Sequence, residues 1–324
     1  MTEWRTRRAS LYDEAALADL CRAAVGPDDY VVEFLEDLLL RGVTYVALDG
    51  DRIVGMMTYQ EVFDGSAWLG QARTHPAYRR RGVASALVEV LEGLAGRKGV
   101  RAARLLTEAA NRAGVASFTR AGFREVARFA RFSAKASVES PRFPLAQLRF
   151  TEDLWAALER SPFVRQGKGY VSYGYVFVRF DRATAHYLAS LGALWEWDGH
   201  VVLLDEVREA FSEDLLNATP LLGPPEEILR DLPRISRARG ASRVETFLPL
   251  DRRFVAHAHE AGFEPATWGQ EAILAEKPLV AAKAPARTRK TYAELYASRS
   301  RFTGPTSAAH GHGASDVHED RWNA

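Results

Sequence analysis

The 324-residue chain carries 43 Lys and Arg against 42 Asp and Glu, a formal net charge of +1, with 47% hydrophobic and 26% charged residues. This is ordinary globular usage, which excludes a mostly disordered, collagen-like or coiled-coil chain, and the length suggests about two domains. The balanced charge leaves no global basic field to hold nucleic acid. The single cysteine excludes an internal disulfide and a cysteine-built zinc site. No apolar run of about 18 residues is present to span a membrane, and the charged start has no apolar stretch behind it, unlike a signal peptide. The expectation is a cytoplasmic protein with neither membrane nor nucleic acid as partner.

Taken in order, residues 4–9 read as a short strand. Ser10, with Asp13 three residues on, resembles a capping box and opens a helix with Leu17, Leu20 and Cys21 on one face. Residues 31–40 read as a second helix, 44–48 and 52–62 as a hairpin across Asp49-Gly50, and 67–74 as a further strand. Val83, Leu87, Val90 and Leu94 stand at helical spacing and predict a helix over 82–97. A strand over 103–107, a helix over 111–120 and a strand over 123–132 complete a mixed α/β block, with helices able to cover both faces of its sheet.

The stretch from Thr74 to Ser85, THPAYRRRGVAS, joins a strand to a helix through a basic turn. The first N–H groups of a helix lack partners and the helix dipole adds positive potential there, so this is an anion site suited to a pyrophosphate. Gly82 permits close backbone approach, Ala84 adds little bulk, and Arg79, Arg80 and Arg81 supply charge and forked donors. Charge alone favours a plain solvated basic turn, because charge runs are usually solvated.

Residues 133–144 lose periodicity and carry two prolines, which predicts a domain seam. A second block then echoes the first. Gly192 to Leu204 again reads strand, Asp-Gly turn, strand. Asp251-Arg252, Val255-Ala256 and Ala261-Gly262-Phe263 keep the mutual spacing of Asn111-Arg112, Val115-Ala116 and Ala121-Gly122-Phe123. A duplicated domain follows from two matches in the same order. The aromatic stretch 169–180 reads as a strand that presents Tyr170 or Tyr173 to a small-molecule site or simply packs. Trp195 and Trp197 read as core or seam residues. From about residue 281 the tail is too poor in apolar side chains to offset ordering entropy, apart from a short helix around 292–296. His310, His312 and His318 in that tail are weighed as metal ligands and set aside, so no metal is expected.

Arg79-x-x-Gly82-x-Ala84 resembles the Gln/Arg-x-x-Gly-x-Gly/Ala loop of the GNAT N-acetyltransferase superfamily. His75-Pro76-x-Tyr78-Arg79 is similar to that family's lead-in, and Asn111, Ala116 and Gly122-Phe123 are similar to its Asn-helix-Gly-Phe ending. The resemblance covers residues 3–134 and implies an acetyl-CoA-dependent transfer to a primary amine. It implies that Arg79, Arg80, Arg81, Gly82, Val83, Ala84 and Ser85 hold the pyrophosphate. The pantetheine arm would then lie between two splayed strands, paired with the main chain at Arg73 and Thr74 and flanked by Asn111. Phe118 stands beside the cofactor where the family often has a tyrosine acid, so that role does not carry over, and Tyr59 is another available hydroxyl. Glu61 and Glu108, at strand ends, are the candidate bases, each also readable as a surface carboxylate. His75 reads as structural or cofactor-adjacent.

The expected architecture is therefore two tandem GNAT-like domains, a catalytic one over 1–135 and a degenerate one over 145–280, with a flexible tail over 281–324. The second block lacks the loop motif between Val207 and Ile228 and places Glu226 and Glu227 at its helix start, where carboxylates repel phosphate. The expected acceptor is a small-molecule amine, with an amino acid as one candidate. Acetylation of a protein N-terminus or lysine, non-catalytic acyl-CoA binding, and a homodimer stay open.

Overall fold

The computed structural model describes residues 4–205 and 214–279. Its first half runs β1 (Arg5–Arg8), α1 (Glu14–Ala24), α2 (Leu35–Leu40), β2 (Thr44–Asp49), β3 (Arg52–Glu61), β4 (Ser66–Thr74), α3 (Val83–Arg97), β5 (Ala102–Glu108), α4 (Arg112–Arg120) and β6 (Arg124–Lys135). The second runs β7 (Ala146–Gln147), α5 (Glu152–Glu159), α6 (Pro162–Gln166), β8 (Tyr170–Tyr173), β9 (Val176–Arg179), α7 (Arg182–Ser190), β10 (Leu194–Trp197), β11 (His200–Asp205) and β12 (Leu215–Leu222). It ends with α8 (Pro225–Ala238), β13 (Arg243–Pro249), α9 (Arg252–Glu260), β14 (Glu264–Pro265) and β15 (Ala272–Pro278).

Local chemistry accounts for most of these elements. Ser10 N–H donates to Asp13 Oδ2 at 2.8 Å, and Arg7 clamps the same carboxylate through Nη1 and Nη2, each at 2.7 Å. These donors hold the Asp13 carboxyl down at about 2. The segment read as one helix over 31–40 is instead a 3₁₀ turn (Tyr30–Phe34) followed by α2, because Asp29 caps the turn and Phe34 leaves helical geometry at φ −132°. Apolar residues alternate along the strands. Val46, Leu48, Ile53 and Met56 pack under α1 and α2, whereas Ala47, Val54, Tyr59 and Leu69 pack under α3 and α4. The sheet of the first half is thus covered on both faces.

The C-terminal helices of the two halves are alike in length, cap and stop. Each C-terminal helix has nine residues, capped by Asn111 in α4 and Asp251 in α9. Phe123 and Phe263, each 2% exposed, donate N–H bonds back to Phe118 and Ala258 at 3.0 and 2.9 Å. The halves do not keep separate sheets. β15 lies antiparallel between β5 and β6, with Ala272 opposite both Glu108 and Phe129. β6 in turn pairs along β13, from Phe129 opposite Pro249 to Lys135 opposite Arg243. A single mixed sheet of 13 strands results among the described residues. The predicted seam at 133–144 therefore starts later than its sequence suggests, since Ser133 to Lys135 extend β6. The stretch 169–180 forms a hairpin, β8 with β9, rather than one strand. The tail, with the helix expected near residues 292–296 and its three histidines, lies outside the described residues.

Ionic anchors cross between the halves. Arg104 on β5 pairs with Asp64 and, at 2.6 Å, with Glu276 on β15. Tyr170 on β8 donates to the same Glu276 at 3.0 Å. Burial alone would raise the Asp64 carboxyl, yet Arg104, the Ser66 hydroxyl and the Arg179 N–H hold it below the ordinary carboxylate range. No helix among the described residues is long and apolar enough to cross a membrane.

Replacing Arg104 by Met strands the buried Asp64 carboxylate and removes a partner from the half-buried Glu276, and the expected loss is about 3–5 kcal/mol in urea unfolding. The sign of the Asp64 shift sets a second outcome. A depressed folded-state pKa contributes stability above the unfolded value of about 3.9 and loses it as pH falls through the folded value. Asp64→Asn should therefore flatten the acid limb of the stability profile, read as unfolding midpoint against pH below about 4.

Candidate active site

β4 and β5 are parallel neighbours only where Ser66 to Trp68 face Ala102 to Arg104. Past those residues they no longer pair, and a cavity of about 930 Å³ lies between Leu69–Thr74 and Leu105–Thr107. The cavity also touches Ala24, Val25 and Tyr30 from the α1–α2 face and α3 and α4 from the other. It therefore passes through the sheet.

On the β4 side a bulge shapes the wall. Met56 faces Arg73 and Thr58 faces Gly70, so β4 spends one more residue than β3 over this interval. Gln71 takes φ +46°, lines the cavity, and receives the Thr58 hydroxyl on its amide oxygen. A non-glycine residue in this conformation is strained, and such strain concentrates at functional sites.

At the α3 end, Gly82 sits at φ +84° with no side-chain cap on the helix. The first internal bond is Ala86 N–H to the Gly82 carbonyl at 3.0 Å, which leaves the N–H groups of Val83, Ala84 and Ser85 for an outside acceptor. All three residues line the cavity. A Cβ at Gly82 would meet nothing nearer than Trp4 Nε1 at 4.0 Å, so backbone conformation, not crowding, demands glycine there.

The three arginines diverge. Arg79 donates to the Ala24 carbonyl at 2.6 Å. Arg80, at φ +61°, lines the cavity exposed. Arg81 stacks over Tyr78 and Trp4, at 4.9 and 5.6 Å, and its carbonyl accepts from Trp4 Nε1 at 3.0 Å. Arg81 does not line the cavity, so its contribution is to fix the loop. His75 caps the short turn Pro76–Tyr78, accepting from Ala77 N–H at 3.3 Å, and meets Arg52 at 3.0 Å.

Thr74, Asn111 and Phe118 line the cavity as well. Asn111 caps α4 through Gly114 N–H at 3.0 Å and donates to the Thr107 hydroxyl at 3.2 Å. The Arg73 side chain is committed elsewhere, to a bidentate pair with Asp29 at 2.6 and 2.7 Å. Asp29 is fully buried, and although burial opposes the Arg73 charge, Asp29 outweighs it and raises the guanidinium's pKa. Only the Arg73 main chain remains for a ligand.

Neither carboxylate expected as a base reaches the cavity wall. Glu61 stands opposite Ala67, at the end where β4 and β5 are still joined, and pairs with Lys98. Glu108 turns to the second half, accepting Gly269 N–H at 2.7 Å. Tyr59 is buried under α3, and burial pushes its hydroxyl pKa up. Asp29, Gln71 and Trp268, which also lines the cavity, carry no motif that would have drawn attention to them.

Among the described residues the second half shows no equivalent mouth. Residues 75–82 separate β4 from α3, but only Gly223 and Pro224 separate β12 from α8. Pro224 and Pro225 offer no N–H, and Glu227 on the first turn pairs with His200 at 2.9 Å.

Residues 10–123 match the family model for GNAT acetyltransferases. The fold is similar to that of a GCN5-related N-acetyltransferase from Sphaerobacter thermophilus, at 14% identity and TM-score 0.56 over 89% of this chain and 99% of that one. It is also similar to two proteins assigned as acetyltransferases. One is from Pyrococcus horikoshii, at 14% identity and TM-score 0.52, over 87% of this chain and 91% of that one. The other is from Thermoplasma acidophilum, at 18% and 0.51, over 85% and 92%. These likenesses extend to the fold. No curated protein matches the sequence.

Asp29→Ala leaves Arg73 unpaired against the bulged strand, and unfolding in urea should show a loss of about 3–5 kcal/mol. An unchanged midpoint would count against this pair as the anchor of the 29–34 segment.

Proposed function

The chain carries a GNAT acetyltransferase domain at residues 10–123, and on that premise we propose that it transfers an acetyl group from acetyl-CoA, the family's donor, to a primary amine of a small molecule. The observation that carries this reading is the uncapped mouth of α3 opening into a cleft that crosses the sheet. Three main-chain N–H groups at a positive helix end suit a diphosphate, with Arg80 adding charge. The bulged strand offers main-chain groups at Arg73 and Thr74 to an extended arm, and Asn111 and Phe118 close the opposite wall. The donor supplies an activated acyl thioester. As the N–C bond forms, the C–S bond breaks, one amine proton passes to solvent, and sulfur departs as thiolate.

Phe118 has no proton to give there, which a thiol leaving group of ordinary pKa, about 8.5, tolerates. Among the described residues no Asp, Glu, His or Lys lines the cavity, so the amine enters uncharged or loses its proton to water. Glu108 acts as a positioning residue through Gly269. The second half is a degenerate copy of the domain that binds no donor. Phe118 also favours a second reading, acyl-CoA binding without turnover.

Titration calorimetry with acetyl-CoA separates these readings. One site per chain is expected, lost in Gly82→Glu, whose side chain puts a strained backbone and a negative charge at the mouth. Two sites, or unchanged affinity in the variant, would refute the assignment. Coenzyme A release across an amine panel distinguishes the enzyme from the binder.

A further inference from the structure

With the donor's diphosphate at the α3 mouth, as proposed above, the face opposite α3 and α4 is the side left for the acceptor. That side is walled by Val25 and Tyr30 from the first half and by Trp268 from the second, in the loop between β14 and β15. The Trp268 loop is held from several directions. Gly269 N–H bonds Glu108 at 2.7 Å, the Gly269 carbonyl accepts Arg131 N–H at 2.8 Å, and Ala109 N–H bonds the Glu271 carbonyl at 2.8 Å. The Trp268 ring meets Phe247 edge to face at 6.4 Å and lies under the Arg131 guanidinium at 5.6 Å. A half-buried indole fixed this firmly is a preorganised apolar surface.

The charge on the wall is of one sign. The charged residues lining the cavity, among the described residues, are Arg73, Arg79, Arg80 and Arg120. Asp29 balances Arg73, and Arg79 is bonded only to a neutral carbonyl. Part of this charge faces the donor's phosphates, but none of it welcomes a second cation. A polyamine, or a lysine in a basic peptide, would enter against that potential with no carboxylate on the wall to receive it.

Resting on the acetyl-CoA reading above, we propose that the acceptor is a primary amine on an apolar or aromatic body with no second positive charge, and that Trp268 is the wall which selects it. Amino acids with apolar side chains match fully, since their carboxylate suits the arginine-lined cleft. The second half thereby supplies the specificity of a site whose donor machinery belongs to the first.

The test uses the full chain, acetyl-CoA, and a panel of phenylalanine, leucine, phenethylamine, spermidine and a lysine-rich peptide, with coenzyme A release as readout. The apolar amines should exceed spermidine and the peptide by at least about tenfold in kcat/KM. Trp268→Ala should raise the apolar acceptor's KM by about tenfold or more, Trp268→Phe should restore most of it, and neither should change the calorimetric Kd for acetyl-CoA. Preference for spermidine or the peptide, no turnover of any panel amine, or an unchanged acceptor KM in folded Trp268→Ala would overturn the proposal while leaving donor binding intact. Absence of acetyl-CoA binding to the unmodified chain would overturn it together with the donor reading.

Discussion

β15 lies between β5 and β6, so neither half of this chain completes its own sheet. Strand order along the sheet, from β5 through β15 and β6 to β13, makes each half the neighbour that closes the other's edge. An unpaired strand edge leaves a row of backbone donors and acceptors without partners, and the exchange removes two such edges at once. The anchors across this region follow from it. Glu276 reaches Arg104 because β15 runs beside β5, and Lys277 reaches Glu92 and the Ala121 carbonyl, both at 2.8 Å, for the same reason. The α3 and α4 helices that frame the cleft are thereby fastened to a strand from the far end of the sequence.

The cleft itself expresses a balance between pairing and divergence. β4 and β5 are held together by three paired residues at one end, where Ser66 and Arg104 also bond at 2.9 Å. The bulge at Gln71 turns β4 as it leaves its partner, and the Asp29–Arg73 pair fixes the far side of the diverging strand. Left-handed backbone at Gln71, Arg80 and Gly82 clusters around one opening, strained at the two residues that are not glycine. Such strain persists only where surrounding contacts over-determine it, here the Thr58 hydroxyl, the Trp4–Arg81 bond and the Arg79–Ala24 bond.

Legibility in the sequence followed the range of the interactions. The loop from Thr74 to Ser85 was readable because a helix start, a glycine and three arginines are adjacent in the chain, and their chemistry is local. The caps and Gly-Phe stops that α4 and α9 share are legible because they are local as well. The break between Phe34 and α2 is not legible, because apolar periodicity continues through a 3₁₀ turn. The two carboxylates were weighed by their positions at strand ends, but what a strand end faces depends on its neighbours. Glu61 sits at the joined end of the cleft, and Glu108 meets a loop 161 residues away. Trp268 could not be placed at all without knowing that the last strands change places.

The same exchange explains why the second half keeps its sheet and helices while its mouth is closed. Nothing in β13, β14 or β15 requires the turn before α8 to bind an anion. Their packing asks for a helix there, and Pro225 at its first turn with Ile228, Leu229, Leu232 and Ile235 inward provides one. Shortening the turn to Gly223 and Pro224 and pairing Glu227 with His200 makes a closed helix start that satisfies itself. On the proposed function the first half lacks that freedom, because filling the α3 mouth would leave the cleft without an end to hold the donor's diphosphate. One fold thus carries an open mouth and a sealed one, and the residues between β12 and α8 decide which.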